Sequence, residues 1–317
     1  MYGAPSLRRL LPLLGLIVLS FVLPRILPDY FLFLLNLLMM YSVLAIGLDL
    51  LLGWAGQFAF AHVAFFGIGV YGTTLLQSKL GIPFILGMPL SALLAGGVGY
   101  LIGIPATRLR TVYLALATFA FAEGAQWVFN SWDKLTGGAD GIRIQTPELF
   151  GYKMGSDPTA FPVVGVILAI MIAATMYLIT SKFGRAMAAI RESEHSASAS
   201  GVDVRGTKIW SFVISAVYAS IAGSMFTLFQ SYANPDQFGF GQIVLLLSMI
   251  VVGGLGTLPG VLIGVALLGL LPQILSTTMR SLQIWQDLVY GSILILSMMF
   301  MPRGIWGLVL SWREKRR

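Results

Sequence analysis

The sequence predicts an all-α, polytopic membrane protein. Hydrophobic residues make up 57% of its 317 residues and charged residues only 10%, whereas soluble domains carry about 25% charged residues. Apolar runs of about 20 residues, the length that crosses a bilayer core, recur along the whole chain. We therefore expect one transmembrane domain over residues 1–317.

Apolar runs bounded by charged residues, Pro and Gly predict ten spans. Their approximate limits are residues 10–27, 31–52, 57–77, 83–104, 111–130, 161–180, 209–232, 238–255, 259–278 and 283–301. The third and eighth are the least regular, because GWAGQ (53–57) and GGLGTLPG (253–260) interrupt the apolar pattern. The first run lacks a small-x-small cleavage signature, so we interpret it as a retained helix rather than a signal peptide.

The basic residues predict the orientation of the spans. With ten crossings, 14 of the 20 Lys and Arg residues fall on the side that holds both termini. The positive-inside rule places this side in the cytoplasm. Residues 181–208 then form a cytoplasmic loop and residues 131–160 an external loop. We assign the net charge of +7 to this topology and not to nucleic-acid binding.

Several kinds of site are not supported. The chain has no cysteine, so disulfides and cysteine-ligated metals are not expected. It contains no G-x-x-x-x-G-K-[ST], G-x-S-x-G or H-E-x-x-H pattern, and we predict no catalytic residue, metal site or bound cofactor. FGIGVYG (66–72) has the glycine spacing of a dinucleotide fingerprint. It lies in a predicted membrane helix, where small residues indicate close helix packing.

Three ionisable residues lie within predicted spans, and ionisable groups in a bilayer are functional hypotheses because they are costly to bury. Asp49 and His62 also fit helix-breaking or interfacial positions, where water or backbone groups satisfy them. Glu123 lies near the outer end of its span, so a side chain that reaches the surface is an equal alternative.

The two interrupted segments predict the transport pathway. Non-helical backbone at membrane depth persists only where it is buried in protein or lines a cavity, and one break in each half is typical of transporters. We expect these breaks and the ionisable groups to line or gate the pathway. The predicted pathway residues are Asp49, Gly53, Gly56, Gln57, His62, Glu123, Gly253, Gly254 and Gly256.

The loop 181–208 carries a second pattern. Phe183, Ala186, Met187 and Ile190 recur at helical spacing and form one apolar stripe, and Gly201 is placed as a helix stop. Small residues at 196–200 permit close approach by another protein. We predict that residues 184–201 form a docking helix; an ordinary solvated loop is the alternative.

Seven segments in order carry a resemblance to a known family. They are GLDLLLGWAGQFAFAHVAFFGIGVYG (47–72), TVYLALATFAFAE (111–123), TGGADGI (136–142), FGRAMAAIRESEHSASASGV (183–202), FVISAVYASIAGSMF (212–226), NPDQFG (234–239) and VVGGLGTLPG (251–260). Together they resemble the M-type (LivM) permease subunit of branched-chain amino-acid ABC importers, over nearly the whole chain.

The resemblance implies partners and a location. Such a subunit pairs with a homologous H-type permease, two cytoplasmic ATPase subunits and a periplasmic or lipid-anchored solute-binding protein, in the bacterial inner membrane. The complex imports branched-chain amino acids with ATP hydrolysed by its partners. Urea and short-chain amide importers use similar permeases and stay open as alternatives. Asp49 stands where Asn is common in the family, which leaves room for an amino-group or proton role.

The resemblance also assigns interaction surfaces. Residues 184–201 become the segment that docks on an ATPase subunit, similar to the E-A-A…G loop of ABC permeases although the spacing differs. Its predicted coupling residues are Gly184, Arg191, Glu192, Glu194, Ala197 and Gly201. The external loop is expected either to meet the binding protein or to cap the mouth of the pathway. The predicted docking residues there are Gly137, Gly138, Asp140 and Glu148.

Two classes of function follow. The first is the permease subunit of an ATP-driven importer. The second is a self-sufficient secondary transporter that uses Asp49 or Glu123 as a proton relay. Association with an ATPase distinguishes the first, and transport by the single chain in a proton gradient distinguishes the second.

Overall fold

The computed structural model describes residues 7–109, 111–149, 152–154, 157–271, 286–301 and 304–314. Within these ranges the chain is predominantly helical. The α-helices are α1 (Leu7–Val22), α2 (Asp29–Asp49), α3 (His62–Leu80), α4 (Phe84–Ala106), α5 (Thr111–Ser131), α6 (Asp133–Thr136), α7 (Asp157–Thr180), α8 (Lys182–Glu192), α9 (Glu194–Ala199), α10 (Val204–Phe226), α11 (Phe240–Gly253), α12 (Leu258–Leu268), α13 (Gln286–Phe300) and α14 (Gly304–Glu314). A π-helix (Leu50–Trp54) continues α2.

Short non-α elements join the helices at several places. Three 3₁₀ turns cover Leu23–Arg25, Gly138–Asp140 and Pro235–Phe238. Four two-residue strands form two antiparallel pairs: β1 (Ile142–Arg143) with β4 (Tyr232–Ala233), and β2 (Glu148–Leu149) with β3 (Tyr152–Lys153). The expected all-α class is confirmed apart from these small pairs.

The described helices overlap each of the ten predicted spans in whole or in part. Within the described residues, six stretches are long and apolar enough to cross a membrane: Asp29–Trp54, Phe84–Ala106, Val112–Ser131, Pro158–Thr180, Val204–Phe226 and Leu288–Trp312. Shorter apolar helices cover parts of the first, eighth and ninth predicted spans. Residues 272–278 of the ninth predicted span and 283–285 of the tenth lie outside the described residues. The number of crossings therefore stays a prediction.

Helix α10 lies in the centre of the bundle, where it packs on α2, α3 and α4. Gly69 and Gly223 let α3 and α10 approach closely: a Cβ on Gly223 would lie 2.8 Å from the backbone nitrogen of Val70 and 3.0 Å from the carbonyl carbon of Gly69. This confirms the packing interpretation of FGIGVYG. Small residues at helix crossings are the usual means of close packing in a bilayer.

A triangle of buried hydroxyl groups holds three of these helices together. The hydroxyl oxygens of Thr73 (α3) and Ser224 (α10) are 2.7 Å apart, and Ser91 (α4) lies 3.0 Å from Thr73 and 3.2 Å from Ser224. Interhelical hydrogen bonds of this kind stabilise membrane bundles by about 0.6 kcal/mol each. They fix the position of α3, the helix that follows the first break.

Candidate functional site

The first break lies between α2 and α3. The π-helix ends at Trp54, and the chain is then non-helical until α3 begins at His62. Gly56 adopts φ +67°, a left-handed conformation that favours glycine. The predicted third span started at residue 57, and this start is wrong. The apolar residues before His62 look like helix in the sequence, but they form irregular, partly buried backbone.

The second break lies between α11 and α12. Helix α11 ends at Gly253, and α12 begins at Leu258 after Thr257. Gly254 and Gly256 both have positive φ, at +127° and +73°. The Thr257 hydroxyl donates to the Gly254 carbonyl at 2.7 Å, so the turn carries its own hydrogen bond.

Two helices approach the second break closely, and each has a glycine at the point of contact. A Cβ on Gly264 of α12 would lie 3.0 Å from the Cα of Gly253. A Cβ on Gly304, the first residue of α14, would lie 2.6 Å from the backbone nitrogen of Gly254. The turn is therefore packed between α12 and the start of α14, and its backbone has little room to move alone.

The two breaks are in direct contact. The backbone N–H of Gly256 donates to Oδ1 of Asp49 at 2.8 Å, and Asp49 is only 3% exposed. A Cβ on Gly53 would lie 2.5 Å from the Gly256 nitrogen. Asp49 therefore serves as a hydrogen-bond acceptor for the opposite break. An Asn at this position has the same Oδ1 acceptor.

Arg191 of α8 joins this contact from outside the two breaks. Its Nη1 donates to the carbonyl oxygen of Gly53. A Cβ on Gly56 would lie 3.3 Å from the Cα of Arg191, and one on Gly256 would lie 2.6 Å from its Nη1. We call the five residues Asp49, Gly53, Gly56, Arg191 and Gly256 the clasp.

The segment that carries Arg191 is two short helices, α8 and α9. Ser181 caps α8 by accepting from the Gly184 N–H at 3.2 Å, and Ser193 caps α9 by accepting from the Ser196 N–H at 3.3 Å. Both bonds satisfy backbone donors that a helix start leaves unpaired. The interruption between α8 and α9 at Ser193 was not predicted, because a single helix over residues 184–201 fits the same spacing.

The apolar stripe of α8 is confirmed. Met187 and Ile190 are 1% and 4% exposed, and Phe183 packs against the hydrophobic core. At the junction with α7, a Cβ on Gly184 would lie 2.6 Å from the Cα of Ile179. Glycine at 184 therefore allows the chain to turn sharply out of α7, and α8 lies flat against the bundle.

Helix α9 presents small residues at the surface. Ser196, Ser198, Ala199 and Ser200 are exposed, whereas Ala197 is only 3% exposed and lies beneath that surface. Gly201 follows the helix with φ +81°, as a helix stop requires. The predicted docking role of this segment stays a prediction, and its outer face is formed by the serines rather than by Ala197.

The acidic residues of this segment differ in their surroundings. Glu192 is exposed at the end of α8. Glu194 forms an ion pair with Lys208 at 2.5 Å, where the Lys208 side chain is 6% exposed and that of Glu194 is 53% exposed. A buried ammonium group requires such a partner. Glu194 therefore ties α9 to the first turns of α10.

His62 is fully engaged inside the protein. Its Nε2 lies 2.8 Å from the carbonyl oxygen of Leu44, and its Nδ1 lies 2.8 Å from the hydroxyl oxygen of Ser215. A carbonyl oxygen only accepts, so Nε2 carries a proton and donates to Leu44. The His62 ring thereby links α2, α3 and α10 at the end of the first break.

Gln57 has a different environment. It is 4% exposed, and within the described part of the chain neither atom of its side-chain amide has a hydrogen-bond partner. An unpaired buried amide costs about 1–3 kcal/mol. Its backbone N–H is satisfied by Leu51 at 3.0 Å. The amide of Gln57 is therefore available to a solute or to another conformation of the break.

A line of aromatic rings begins in the non-helical segment of the first break. Ring centroids are 6.2 Å apart for Phe58 and Phe60, 6.1 Å for Phe60 and Phe119, and 5.5 Å for Phe119 and Phe240. The Phe60 N–H donates to the Thr118 hydroxyl of α5 at 3.0 Å. These residues were not predicted, because contacts between α5, α11 and the first break are long-range.

The contact between Phe119 and Phe240 joins the start of α11 to the middle of α5. Phe240 is the first residue of α11, and Phe119 lies about 12 Å along α5 from its first residue at 1.5 Å per residue. Helix α11 has 14 residues, about 21 Å, which is shorter than a bilayer core of about 30 Å. The aromatic line therefore runs from the first break to the first residue of α11.

Glu123 is separate from the clasp. It is exposed on α5, on the same face as Leu116, Trp127 and other exposed residues. This face is open in the isolated chain. The structure does not bring Glu123 together with the other predicted pathway residues.

The described part of the predicted external loop (131–160) forms a compact series of turns. Gly137, Gly138 and Gly141 all have positive φ, and the Thr136 hydroxyl donates to the Phe129 carbonyl at 2.7 Å. Strand β1 then pairs with β4. Asp140 is exposed, and the backbone of Glu148 lies in β2 opposite Lys153. A docking surface and a cap over the mouth both remain compatible with this arrangement.

The structure thus brings most of the predicted pathway residues together, and it adds one that was assigned elsewhere. Arg191 was predicted to contact an ATPase subunit, and its guanidinium lies in the clasp. One feature of the sequence indicated that Arg191 could lie near the bundle: it follows the stripe residue Ile190 directly. No group of three or more His, Cys, Asp or Glu side chains in the described residues is arranged to hold a metal ion.

A bundle of apolar helices with two broken segments meeting inside it has the architecture of a membrane permease. The chain belongs to the family of branched-chain amino acid transport system permease components, whose model matches residues 30–298. It is therefore a multi-pass membrane protein of the ABC permease class.

Relatives of both permease types are similar to the chain. The high-affinity branched-chain amino acid transport system permease protein LivM of Escherichia coli is 29% identical over 294 residues, which cover 85% of this chain and 68% of that protein. LivH of Salmonella typhimurium is 29% identical over 288 residues, covering 84% and 91%. A probable LivM of Methanocaldococcus jannaschii is 23% identical over 274 residues, covering 76% and 77%. No solved structure matches the chain.

Proposed function

We propose that this chain is the M-type permease subunit of an ATP-driven importer of branched-chain amino acids. The observation that carries the proposal is the clasp, where both helix breaks meet Arg191 of the α8–α9 segment. Family membership and the names of the relatives support the substrate class. Transport is expected to require ATP hydrolysis by partner subunits.

The finer features of the assembly belong to the same proposal. The chain crosses a bacterial inner membrane ten times with both termini in the cytoplasm. It pairs with an H-type permease, and two ATPase subunits bind on the cytoplasmic side. A solute-binding protein delivers the solute at the external loop. The similarity to both LivM and LivH relatives supports a pair of related permeases.

In this mechanism the exposed face of α9 docks on an ATPase subunit. Arg191 then carries a movement of α8 to the carbonyl of Gly53, and Asp49 carries it on to Gly256. Both breaks shift together because Asp49 and Gly53, which accept these two bonds, lie in one continuous helical segment that ends at Trp54. The unpaired amide of Gln57 lies in the same segment and is placed to meet the solute.

The aromatic line favours solutes with an aliphatic side chain. Phe58, Phe60 and Phe119 are partly exposed, and Phe240 is 51% exposed. Their rings offer an apolar wall beside the non-helical backbone at the first break. Burial of apolar area stabilises a branched aliphatic group by about 25 cal/mol per Å², and urea gains little from such a wall. Leucine, isoleucine and valine are therefore the preferred solutes.

The contacts of Asp49 and Glu123 do not favour the proton-relay alternative. The Asp49 carboxylate is bonded to a backbone N–H, and Glu123 is exposed on another face. The experiment that separates the two functions uses the purified chain alone and the chain with its permease and ATPase partners in liposomes. We expect leucine uptake only with the partners and ATP. Uptake by the chain alone in a proton gradient would establish the secondary transporter instead.

A further inference from the structure

A large apolar cavity lies behind the clasp. Its volume is about 810 Å³, within the range of about 300–1,000 Å³ that is usual for ligand sites. Helices α1, α7, α12 and α14 and the end of the π-helix form its walls. The lining residues used below are Trp54, Leu168, Ile172, Ile179, Thr257 and Leu262.

The cavity walls do not suit a polar solute. The lining is aliphatic and aromatic apart from Thr257, whose hydroxyl already donates to the Gly254 carbonyl. The charged ends of an amino acid would lose their hydration there without gaining partners, which is costly. An acyl chain has no polar group to satisfy, so the walls select a lipid tail over the transported solute.

The length of the cavity fits one leaflet. Its lining on α7 runs from Leu168 to Ile179, about 16 Å at 1.5 Å per residue. Half of a bilayer core is about 15 Å. Residues in the middle of α1 and in the first half of α12 line the same cavity, which reaches the end of the bundle at which α7 terminates.

That end carries basic groups immediately beyond the cavity. Helix α7 ends at Thr180, and Lys182 and Arg185, both exposed, follow in the first turn of α8. The Arg185 guanidinium donates to the Thr180 carbonyl at 3.1 Å, next to the lining residue Ile179. Basic pockets at helix ends on one face of the membrane attract anionic lipid head groups.

From these observations we infer that the cavity binds an acyl chain of an anionic phospholipid, with its head group on Lys182 and Arg185. The lipid tail packs against Trp54 and Thr257, the outer sides of the two breaks, and so supports the clasp. The inference does not depend on which solute is transported. It gives the anionic lipids of the surrounding leaflet a binding site on this subunit.

The test uses the assembled transporter in nanodiscs that contain phosphatidylglycerol or phosphatidylcholine with a photoreactive group in the acyl chain. Crosslinks are mapped by mass spectrometry. We expect crosslinks on residues 168–179 and 257–262 with phosphatidylglycerol. The preference over phosphatidylcholine should fall about fivefold for each basic residue replaced in Lys182→Gln and Arg185→Gln.

Cavity-filling variants provide the second arm. Ile172→Trp and Leu262→Trp should remove these crosslinks, whereas Leu93→Trp, at a residue of α4 that is 71% exposed, should leave them unchanged. The head-group variants keep the test valid if a tryptophan variant does not fold. Equal crosslinking with both lipids would overturn the inference. So would lipid crosslinks that are found only on a partner subunit or on other segments of this chain.

Discussion

Arg191 and Gly53 are 138 positions apart in the sequence and are joined by a hydrogen bond from the Arg191 guanidinium to the Gly53 carbonyl. The bond connects the α8–α9 segment to the π-helix that ends α2. A π-helix leaves carbonyl groups out of the regular α pattern, and such turns are frequent at functional sites. Here the Gly53 carbonyl is used by α8, a helix that buries Met187 and Ile190 while Arg191 itself stays exposed.

Asp49 is expected to act as an acceptor rather than as a proton carrier. Asp49→Asn keeps Oδ1 for the Gly256 N–H and should retain most of the ATP-driven leucine uptake in liposomes. Asp49→Leu leaves that N–H unpaired, a cost of about 1–3 kcal/mol, and should reduce uptake about tenfold or more. Loss of transport in the Asn variant would support the proton relay.

Gly56 and Gly81 form a matched pair of glycines. Both have left-handed φ, +67° and +66°, but Gly81 has open space around it and Gly56 touches Arg191. Alanine at either position costs about 1–2 kcal/mol of backbone strain. Only Gly56→Ala should also displace Arg191 and lower uptake, measured at equal amounts of assembled complex. Equal uptake by the two variants would show that contact at Gly56 is unimportant.

The outer face of α9 is predicted to bind an ATPase subunit. Ser198 is exposed on this face, so Ser198→Trp should obstruct docking without disturbing the buried Ala197. The measurement is the amount of ATPase that co-purifies with the permease pair. Ser311→Trp, at an exposed residue of α14, is the control and should retain the ATPase. Normal co-purification of the Ser198 variant would place the docking surface elsewhere.

The external loop is predicted to contact the solute-binding protein through Asp140. Asp140→Lys should weaken stimulation of ATP hydrolysis by the loaded binding protein about two- to fivefold, as expected for an exposed ion pair. Asp29→Lys, at an exposed residue in the first turn of α2, is the control. The assay is run at low salt, where such contacts are least screened. Unchanged stimulation would leave the cap interpretation.

Much of the fold could be predicted from local patterns. Apolar runs located the helices, glycine clusters at 53–57 and 253–260 located the breaks, and the stripe through Met187 located α8. The start of α3 could not be placed, because an apolar run in the sequence is compatible both with helix and with non-helical backbone. The bonds of Arg191 to Gly53 and of Gly256 to Asp49 join distant segments, and no local spacing encodes them.

The most direct test of the clasp is the number of ATP molecules hydrolysed per leucine imported by Arg191→Gln. A hydrogen bond from a charged group contributes about 1.5–3 kcal/mol, so the ratio should rise about tenfold or more while the ATPase stays bound. Arg108→Gln, which removes an exposed guanidinium just beyond the end of α4, should keep the wild-type ratio. A wild-type ratio in Arg191→Gln would contradict the claim that this residue couples the two breaks to the ATPase.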